Sequence, residues 1–254
     1  MTVEILKRTP MTAPAISIIV PVLNEGTTLR ETLAHLPRAP DLEIILVDGG
    51  STDHTLAVAA DFPGIKMCAA PRGRGCQMNA GALASSGEWL VFVHADTHFR
   101  TEHLRSLRRA IQDPAFAAGA FELALRPPAP ALRLIAWGAN RRARTLGLPY
   151  GDQVLIIARP LFLSLGGFAH RRPEDLDLVL RLRKHARLHL LTPAVSSSGR
   201  RWLTQGYLYT TLKNWLDLAR HLAERAFTSR WSEKGELKKG GRRRRPGVAN
   251  PVNR

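Results

Sequence analysis

Four stretches within the first hundred residues carry carboxylates, amides, glycines or arginines directly behind apolar runs. Ile16–Val22 leads through Pro21 into Leu23, Asn24 and Glu25, and Glu43–Val47 runs into Asp48, Gly49, Gly50, Ser51, Thr52 and Asp53. Behind Ile65–Ala70 come Arg72, Gly73, Arg74 and Gly75, with Gln77 and Asn79 close after; behind Trp89–Val93 come His94, Ala95 and Asp96. Asp, Gly and Asn are ordinary turn residues, so chain reversal explains any one of these loops. Four in succession, with the apolar runs kept clean, point to a ligand site. Carboxylates and amides there can bond a nucleobase and ribose, and arginines can grip a diphosphate with a two-pronged fork. Asp96 is a hard oxygen ligand suited to Mg²⁺ or Mn²⁺, which bridge phosphate oxygens. His94 and His98, four apart, also suggest zinc, but the sequence offers them no third ligand.

The elements that must position these residues alternate. Short β-branched runs give way to helical stretches at Thr27–Leu36, Thr55–Ala60, Gln77–Ala84 and Leu104–Ile111, the pattern of βαβ units. The expected fold is α/β, with a mostly parallel central sheet and helices on both faces, and in such sheets ligands bind beyond the carboxyl ends of the strands. In the second half we expect strands at Phe116–Leu125, Val154–Ala158 and Leu188–Leu191, and helices at Leu132–Thr145, Pro160–Leu165 and Asp175–His185. Gly206–Phe227 reads as an amphipathic helix whose stripe of Leu208, Leu212, Trp215, Leu216, Ala219 and Leu222 is expected to face the core, membrane contact being the lesser reading.

The chain has 254 residues and a net charge of +16. From Ser229 onward nine Lys/Arg face only Glu233 and Glu236, yet the preceding body is still basic, as suits a phosphate-bearing partner or an anionic membrane surface. We expect a flexible extension over residues 1–14, a catalytic domain over 15–228 and a disordered basic tail over 229–254. Within the domain, 15–98 is the donor nucleotide-binding part and 99–228 the acceptor part. Two cysteines, Cys68 and Cys76, are too few for a disulfide framework, and no apolar run reaches the roughly 18 residues of a membrane span. Residues 1–15 are polar and lack an apolar signal segment, so the expected location is cytoplasmic, with peripheral attachment to the inner face of a membrane as an option.

Further carboxylates follow in the second half. Glu174 and Asp175 open a helix behind Pro173, and Asp152 sits in Gly151-Asp152-Gln153 before an apolar strand. Arg126, Arg133, Arg141, Arg142 and Arg144 crowd the segment around Trp137, either to grip an anionic acceptor such as a lipid phosphate or, the favoured reading, as a solvated helix face.

The ordered set of motifs resembles the family-2 glycosyltransferases of GT-A fold over roughly residues 15–225. The resemblance rests on Pro-Val-Leu-Asn-Glu at 21–25, Asp-Gly-Gly-Ser-Thr-Asp-His-Thr at 48–55 and Gly-Arg-Gly-Cys-Gln-Met-Asn-Ala-Gly at 73–81. To these it adds His94-Ala95-Asp96 in the place of the family's Asp-X-Asp and Glu174-Asp175 as an acidic pair heading a helix. A bacterial subgroup, the radical-SAM/selenodomain-associated transferases, is similar in Tyr150-Gly151-Asp152-Gln153, Leu165-Gly166-Gly167-Phe168 and Arg200-Arg201-Trp202. The resemblance implies transfer of a sugar from a nucleotide-diphospho-sugar donor to an acceptor hydroxyl, the acceptor being a small molecule or lipid-linked. It implies that Asn24, Glu25, Asp48 and Asp53 hold the nucleoside, and that Arg72 or Arg74 contacts phosphate or base. Pro21, Gly50, Gln77, Asn79 and His94 complete the donor-facing set, and Asp96 is the residue for Mg²⁺ or Mn²⁺. It makes Asp175 or Glu174 the general base, with Asp152 as rival. His94 departs from the family pattern by putting imidazole where a carboxylate is usual, leaving Asp96 as the motif's one hard metal ligand.

Two other readings remain. A nucleotidyltransferase that makes sugar nucleotides would carry a glycine-rich, lysine-bearing loop behind the first strand, which Pro21–Glu25 lacks. A nucleic-acid-binding module would use Arg242–Arg245, but no aromatics interleave those charges, so nucleic acid is not the expected partner.

Overall fold

The computed structural model of the chain describes residues 15–169, 173–221 and 223. In its first half β1 (Ile16–Val22), α1 (Gly26–His35), β2 (Leu42–Asp48), α2 (Thr55–Ala60), β3 (Ile65–Ala69), α3 (Arg74–Ala84) and β4 (Trp89–Phe92) alternate as the sequence predicts. β1 is buried along its whole length, as a strand covered on both faces of a parallel sheet must be. Pro21 is tolerated there because β4 has already ended: its last residue, Phe92, pairs with Ile19, so no partner strand awaits the missing N–H. α3 lies so close to the sheet that a Cβ on Gly81 would sit 2.4 Å from Ile19 Cγ2 and 2.9 Å from Val47 Cγ2.

The second half comprises β5 (Thr97–His98), α4 (Thr101–Ala110), β6 (Ala118–Arg126), α5 (Pro130–Leu146), a 3₁₀ turn (Gly151–Gln153), β7 (Leu155–Ala158), α6 (Arg159–Ser164), α7 (Glu174–Leu182), β8 (Leu188–Ser198) and α8 (Arg200–Gln205). One eight-stranded sheet runs in the order β3-β2-β1-β4-β7-β6-β8-β5. β3, β2, β1 and β4 are parallel, whereas β7 runs antiparallel to both β4 and β6, and β6 pairs with β8 in parallel. The sheet is therefore mixed, with β3, β2, β1 and β4 as its parallel half. β8 is far longer than the expected Leu188–Leu191. Pro193 suggests a strand end, but the register against β6 jumps there, from Phe121↔Leu191 to Leu123↔Val195, and this irregularity absorbs the proline.

Residues 207–221 are helical, beginning about where the sequence places the amphipathic helix. A boundary between compact units falls within it, the first ending at Thr210 and the second beginning at Thr211. Within the second unit Leu212, Trp215 and Leu216 are 64%, 53% and 63% exposed. Among the described residues no helix is long and apolar enough to cross a membrane. The extension over 1–14, the tail over 229–254 and nearly all of 222–227 lie outside the described residues.

At the end of the sheet away from the strand carboxyl ends, Glu43 ties three strands together. Its Oε1 accepts from Ser17 Oγ at 2.6 Å, Ser86 N at 2.6 Å and Gly87 N at 3.1 Å, and Lys66 Nζ on β3 meets Oε2 at 2.6 Å. Burial alone would raise its pKa, but the bonds from Lys66, Ser17 and Ser86 outweigh burial and hold the carboxyl at about 2. A folded-state pKa below the ordinary value means stability that is present above about pH 4.5 and lost as pH falls toward 2. Glu43→Gln should therefore cost about 1–3 kcal/mol near neutrality, the scale of unsatisfied buried donors. That penalty should shrink as the pH of the melt is lowered through 4; a penalty independent of pH would show that shape rather than charge is what matters.

Candidate functional site

The loops behind β1 and β2 are locked to each other before any ligand arrives. Asn24, with φ of 54°, accepts from Thr52 N at 2.8 Å through Oδ1, while its own N–H donates to Ser51 Oγ at 3.0 Å. Glu25 N donates to Thr55 Oγ1 at 2.8 Å, and Gly26 N donates to Asp53 Oδ2 at 3.1 Å. Asp53 also caps α2 through Thr55, and the hydrogen bond from Thr55 is the main reason its pKa lies below the usual carboxylate range. Asp48 is 8% exposed and accepts from Gly50 N, Ser51 N and Ser51 Oγ at 3.0, 3.1 and 2.5 Å. Gly50, with φ of 92°, and Thr52 stay exposed at the rim.

Three residues expected to face a donor are turned to other work. Gln77 is 4% exposed, and its amide donates to Val22 O at 2.7 Å and Val47 O at 2.9 Å, pinning the last turns of β1 and β2. Asn79 makes a reciprocal pair with the backbone of Phe168, at 2.9 and 2.8 Å, so it braces α3 against the Gly166-Gly167 loop. Pro21 is buried inside β1, opposite Val47. Amides next to strand ends serve a frame as well as a ligand, and residue type alone does not separate the two uses. Arg72 and Arg74 are both exposed, and Arg74 is the first residue of α3.

Behind β4 the charges converge. His94 is half-buried, its Nε2 is buried without a hydrogen-bond partner, and burial and then Arg74 hold its pKa well below the ordinary imidazole value. It is therefore a neutral ring at physiological pH. Asp96 is half-buried, and its pKa is raised by burial and then by Glu25, against the lowering effect of Arg74 and Arg200. Arg200, from α8, also reaches Glu25 Oε2 at 3.5 Å. Arg126 donates to Asp96 O at 3.0 Å and Ser196 O at 2.6 Å, so it fixes the Asp96 backbone rather than lying on a solvated helix face. Neither Arg126 nor Arg200 was legible as a site residue; the signal for Arg200 was the Arg-Arg-Trp motif.

The Gly151–Gln153 turn presses into the same place. A Cβ on Gly151 would lie 2.8 Å from His94 Nε2 and 3.0 Å from Asp175 Oδ2, so only glycine fits. Asp175 Oδ2 accepts from Gly151 N at 2.8 Å, and Gln153 Nε2 donates to Phe121 O at 3.1 Å. Val154, next along, has φ of 56°, a strained conformation for a β-branched residue. The two non-glycine residues of positive φ among the described residues, Asn24 and Val154, thus flank this site, where such strain tends to collect. Burial pushes the Asp152 pKa up to about 6, opposed by Arg142 and reinforced by Asp175 and Asp96, and its Oδ1 is buried without a partner. Arg142 stacks over Tyr150 at 3.7 Å and donates to Leu148 O at 2.9 Å. Glu174, by contrast, is 6% exposed and sits against Gly75 of α3, whereas Asp175 remains half-buried at the first turn of α7.

Known proteins share the family and the fold. Residues 17–146 match the profile of glycosyl transferase family 2. A PGL/p-HBAD biosynthesis glycosyltransferase of Mycobacterium bovis is 39% identical over 94 residues, covering 34% of this chain and 37% of the relative. A dolichyl-phosphate beta-glucosyltransferase of Trichomonas vaginalis is 31% identical over 112 residues, covering 38% and 33%. The chain thus spans about a third of the length of the curated relatives it matches. Among solved structures, S. aureus TarS 1-349 in complex with UDP-GlcNAc superposes with a TM-score of 0.58 at 19% identity, covering 72% of this chain and 58% of that one. The mannosyltransferase PcManGT from Pyrobaculum calidifontis, in complex with GDP-Man and Mn²⁺, gives 0.54 at 23% identity, covering 73% and 56%. With the profile matching half of its length and the sheet shared with these structures, the chain belongs to glycosyl transferase family 2 and has the GT-A fold.

Proposed function

We propose that this chain transfers a sugar from a nucleotide-diphospho-sugar to an acceptor hydroxyl, with inversion at the anomeric carbon. The observation that carries the reading is the convergence of Glu25, Asp96, Asp152 and Asp175 with Arg74 and Arg200 beyond the carboxyl ends of the parallel strands. The nucleoside belongs on the locked loops of Asn24, Glu25, Asp48, Gly50 and Asp53, and the diphosphate between Arg74 and Arg200, with Arg72 at the rim. Donors bound by neighbours of the same fold, UDP-GlcNAc and GDP-Man, support this class of ligand. The exposed Leu212, Trp215 and Leu216 and the basic body support contact of the chain with an anionic lipid surface.

The acceptor oxygen attacks the anomeric carbon as its proton passes to a carboxylate, and the bond to the diphosphate breaks with its electron pair leaving on the phosphate oxygen. Asp175 is the proposed proton acceptor. It lies in the first turn of α7, and Gly151 N donates to its Oδ2 at 2.8 Å and fixes it. Arg74 and Arg200 face the negative charge that gathers on the leaving group.

A divalent metal, Mg²⁺ or Mn²⁺, fits at Asp96. Glu25 repels the Asp96 carboxylate, which a divalent cation relieves, whereas His94 Nε2 is turned to Gly151. When bound, such an ion would supply charge neutralisation to the diphosphate. Excess EDTA should abolish turnover and Mn²⁺ or Mg²⁺ should restore it, while Asp96→Asn should lower it by about 10²–10³. Full activity in EDTA would leave the arginines as the sole counter-charges.

Asp175→Asn should depress turnover by about 10²–10⁴ with nucleoside diphosphate affinity near that of the wild type. If Asp152→Asn alone does this, the base lies on the Gly151–Gln153 turn, and a product of retained configuration would reject single displacement.

Asp152 makes a separate prediction about stability. Its folded pKa of about 6 lies above the ordinary 3.8, so its contribution is full below about pH 4 and is lost as pH rises through 6. Asp152→Asn should accordingly raise the thermal midpoint by a few degrees at pH 7.5 and not at pH 4; an equal shift at both would contradict the burial of this carboxyl.

A further inference from the structure

His98 does not join His94. It lies in β5, 2% exposed, and its ring stacks on His35 of α1 with centroids 4.0 Å apart and planes 13° apart. Glu31 stands one turn before His35 on the same helix, and Glu31 Oε1 is 3.3 Å from His98 Nε2. Neither ring nitrogen of His98 has a hydrogen-bond partner, because the approach of Glu31 meets the distance but not the direction of a bond. A buried imidazole with both nitrogens unmet needs a reason.

We propose that Glu31, His35 and His98 form a binding site for a divalent transition metal of the zinc class, clipping α1 to β5. One ligand atom from each lies within 4.8 Å of the others. His35 is already oriented as metal-bound histidines are: Nδ1 lies 2.7 Å from the Glu31 carbonyl, and the tautomer that donates there leaves the lone pair on Nε2. Two imidazoles and one carboxylate with a solvent-facing fourth position suit Zn²⁺ or Co²⁺ rather than Mg²⁺ or Ca²⁺.

Closing the site requires His35 to turn out of its stack on His98, because a metal–imidazole bond lies in the ring plane and two planes 13° apart with centroids 4.0 Å apart do not meet at one ion. Tetrahedral bonds of about 2.0–2.1 Å place ligand atoms about 3.4 Å apart, so the three must draw in by roughly 1 Å. Glu31 is exposed and His35 half-buried, so both are free to turn onto the fixed His98. Arg100 now contacts His35 Nε2 at 3.3 Å and must swing away; it competes with the metal for that lone pair. The site is distinct from Asp96 in its ligands and needs no nucleotide. Its effect would be to brace the helix behind the Asn24–Glu25 loop against the strand behind Asp96.

The test uses the full chain without a polyhistidine tag, stripped with chelator and titrated with Co²⁺ and then Zn²⁺ in the absence of nucleotide. We expect one equivalent of Co²⁺ with visible d–d bands and no thiolate charge-transfer band, displaced by Zn²⁺, which also raises the thermal midpoint. His98→Phe, which keeps a buried ring, and His35→Leu, at a half-buried position, should each weaken binding beyond the about 10–100-fold cost of losing a mere outer-shell partner. Arg100→Ala should tighten it severalfold, and Asp96→Asn should leave it unchanged. No saturable equivalent in the wild type, binding of wild-type strength in His35→Leu, or loss only in Asp96→Asn would each overturn the proposal.

Discussion

The carboxyl ends of β1 and β2 carry loops whose backbone groups have no strand partner left, and the structure resolves this by bonding the two loops to each other. Asn24 to Thr52, Ser51 to Asn24, Thr55 to Glu25 and Asp53 to Gly26 all join residues about thirty apart in sequence. Gln77 closes the frame by donating to Val22 O, the last carbonyl of β1, and to Val47 O, one residue before the end of β2. Once these bonds are made, Asn24 can hold its left-handed backbone, α1 and α2 start at fixed points, and the rim formed by Gly50 and Thr52 is presented without further ordering. Such preorganisation matters to a binding site, because order made during folding is not charged against the ligand later.

Three helices, one from the first half of the chain and two from the second, supply charge to that frame. Arg74, Arg200 and Arg142 come from three different helices and surround carboxylates that burial has already made reluctant to ionise, Asp96 and Asp152 above all. Arg126 and Asp175 are spent partly on backbone, the first on Asp96 O and Ser196 O and the second on Gly151 N. His94 and Gly151 lie so close that no side chain could be added at Gly151.

Much of the donor-side half was legible in the sequence, because a parallel strand buried on both faces writes itself as an unbroken apolar run; Ile16–Val22 and Thr55–Ala60 have the predicted bounds. The loops that follow were legible too, as places where polar residues cluster. What each polar residue does there was not. Gln77, Asn79 and Pro21 have the composition of ligand contacts but serve the frame, since a backbone carbonyl at a strand end and a ligand ask for the same amide donors. β8 was cut short at Pro193 because a register shift is a property of the pair of strands and leaves no mark on one of them. His98 and its neighbours Glu31 and His35 lie more than sixty residues apart in sequence, and only the β5–α1 contact brings them together.

The central claim is that the locked loops and the converging arginines hold a nucleotide-diphospho-sugar. It is tested most directly by incubating the full chain with a panel of UDP-, GDP-, CDP- and dTDP-sugars and Mn²⁺, and following the nucleotide products by mass spectrometry. The account predicts release of a nucleoside diphosphate from donors sharing one nucleoside, and loss of that release in Arg74→Ala and Arg200→Ala. Pyrophosphate formed from a nucleoside triphosphate and a sugar phosphate, with no diphosphate released from any donor, would contradict it.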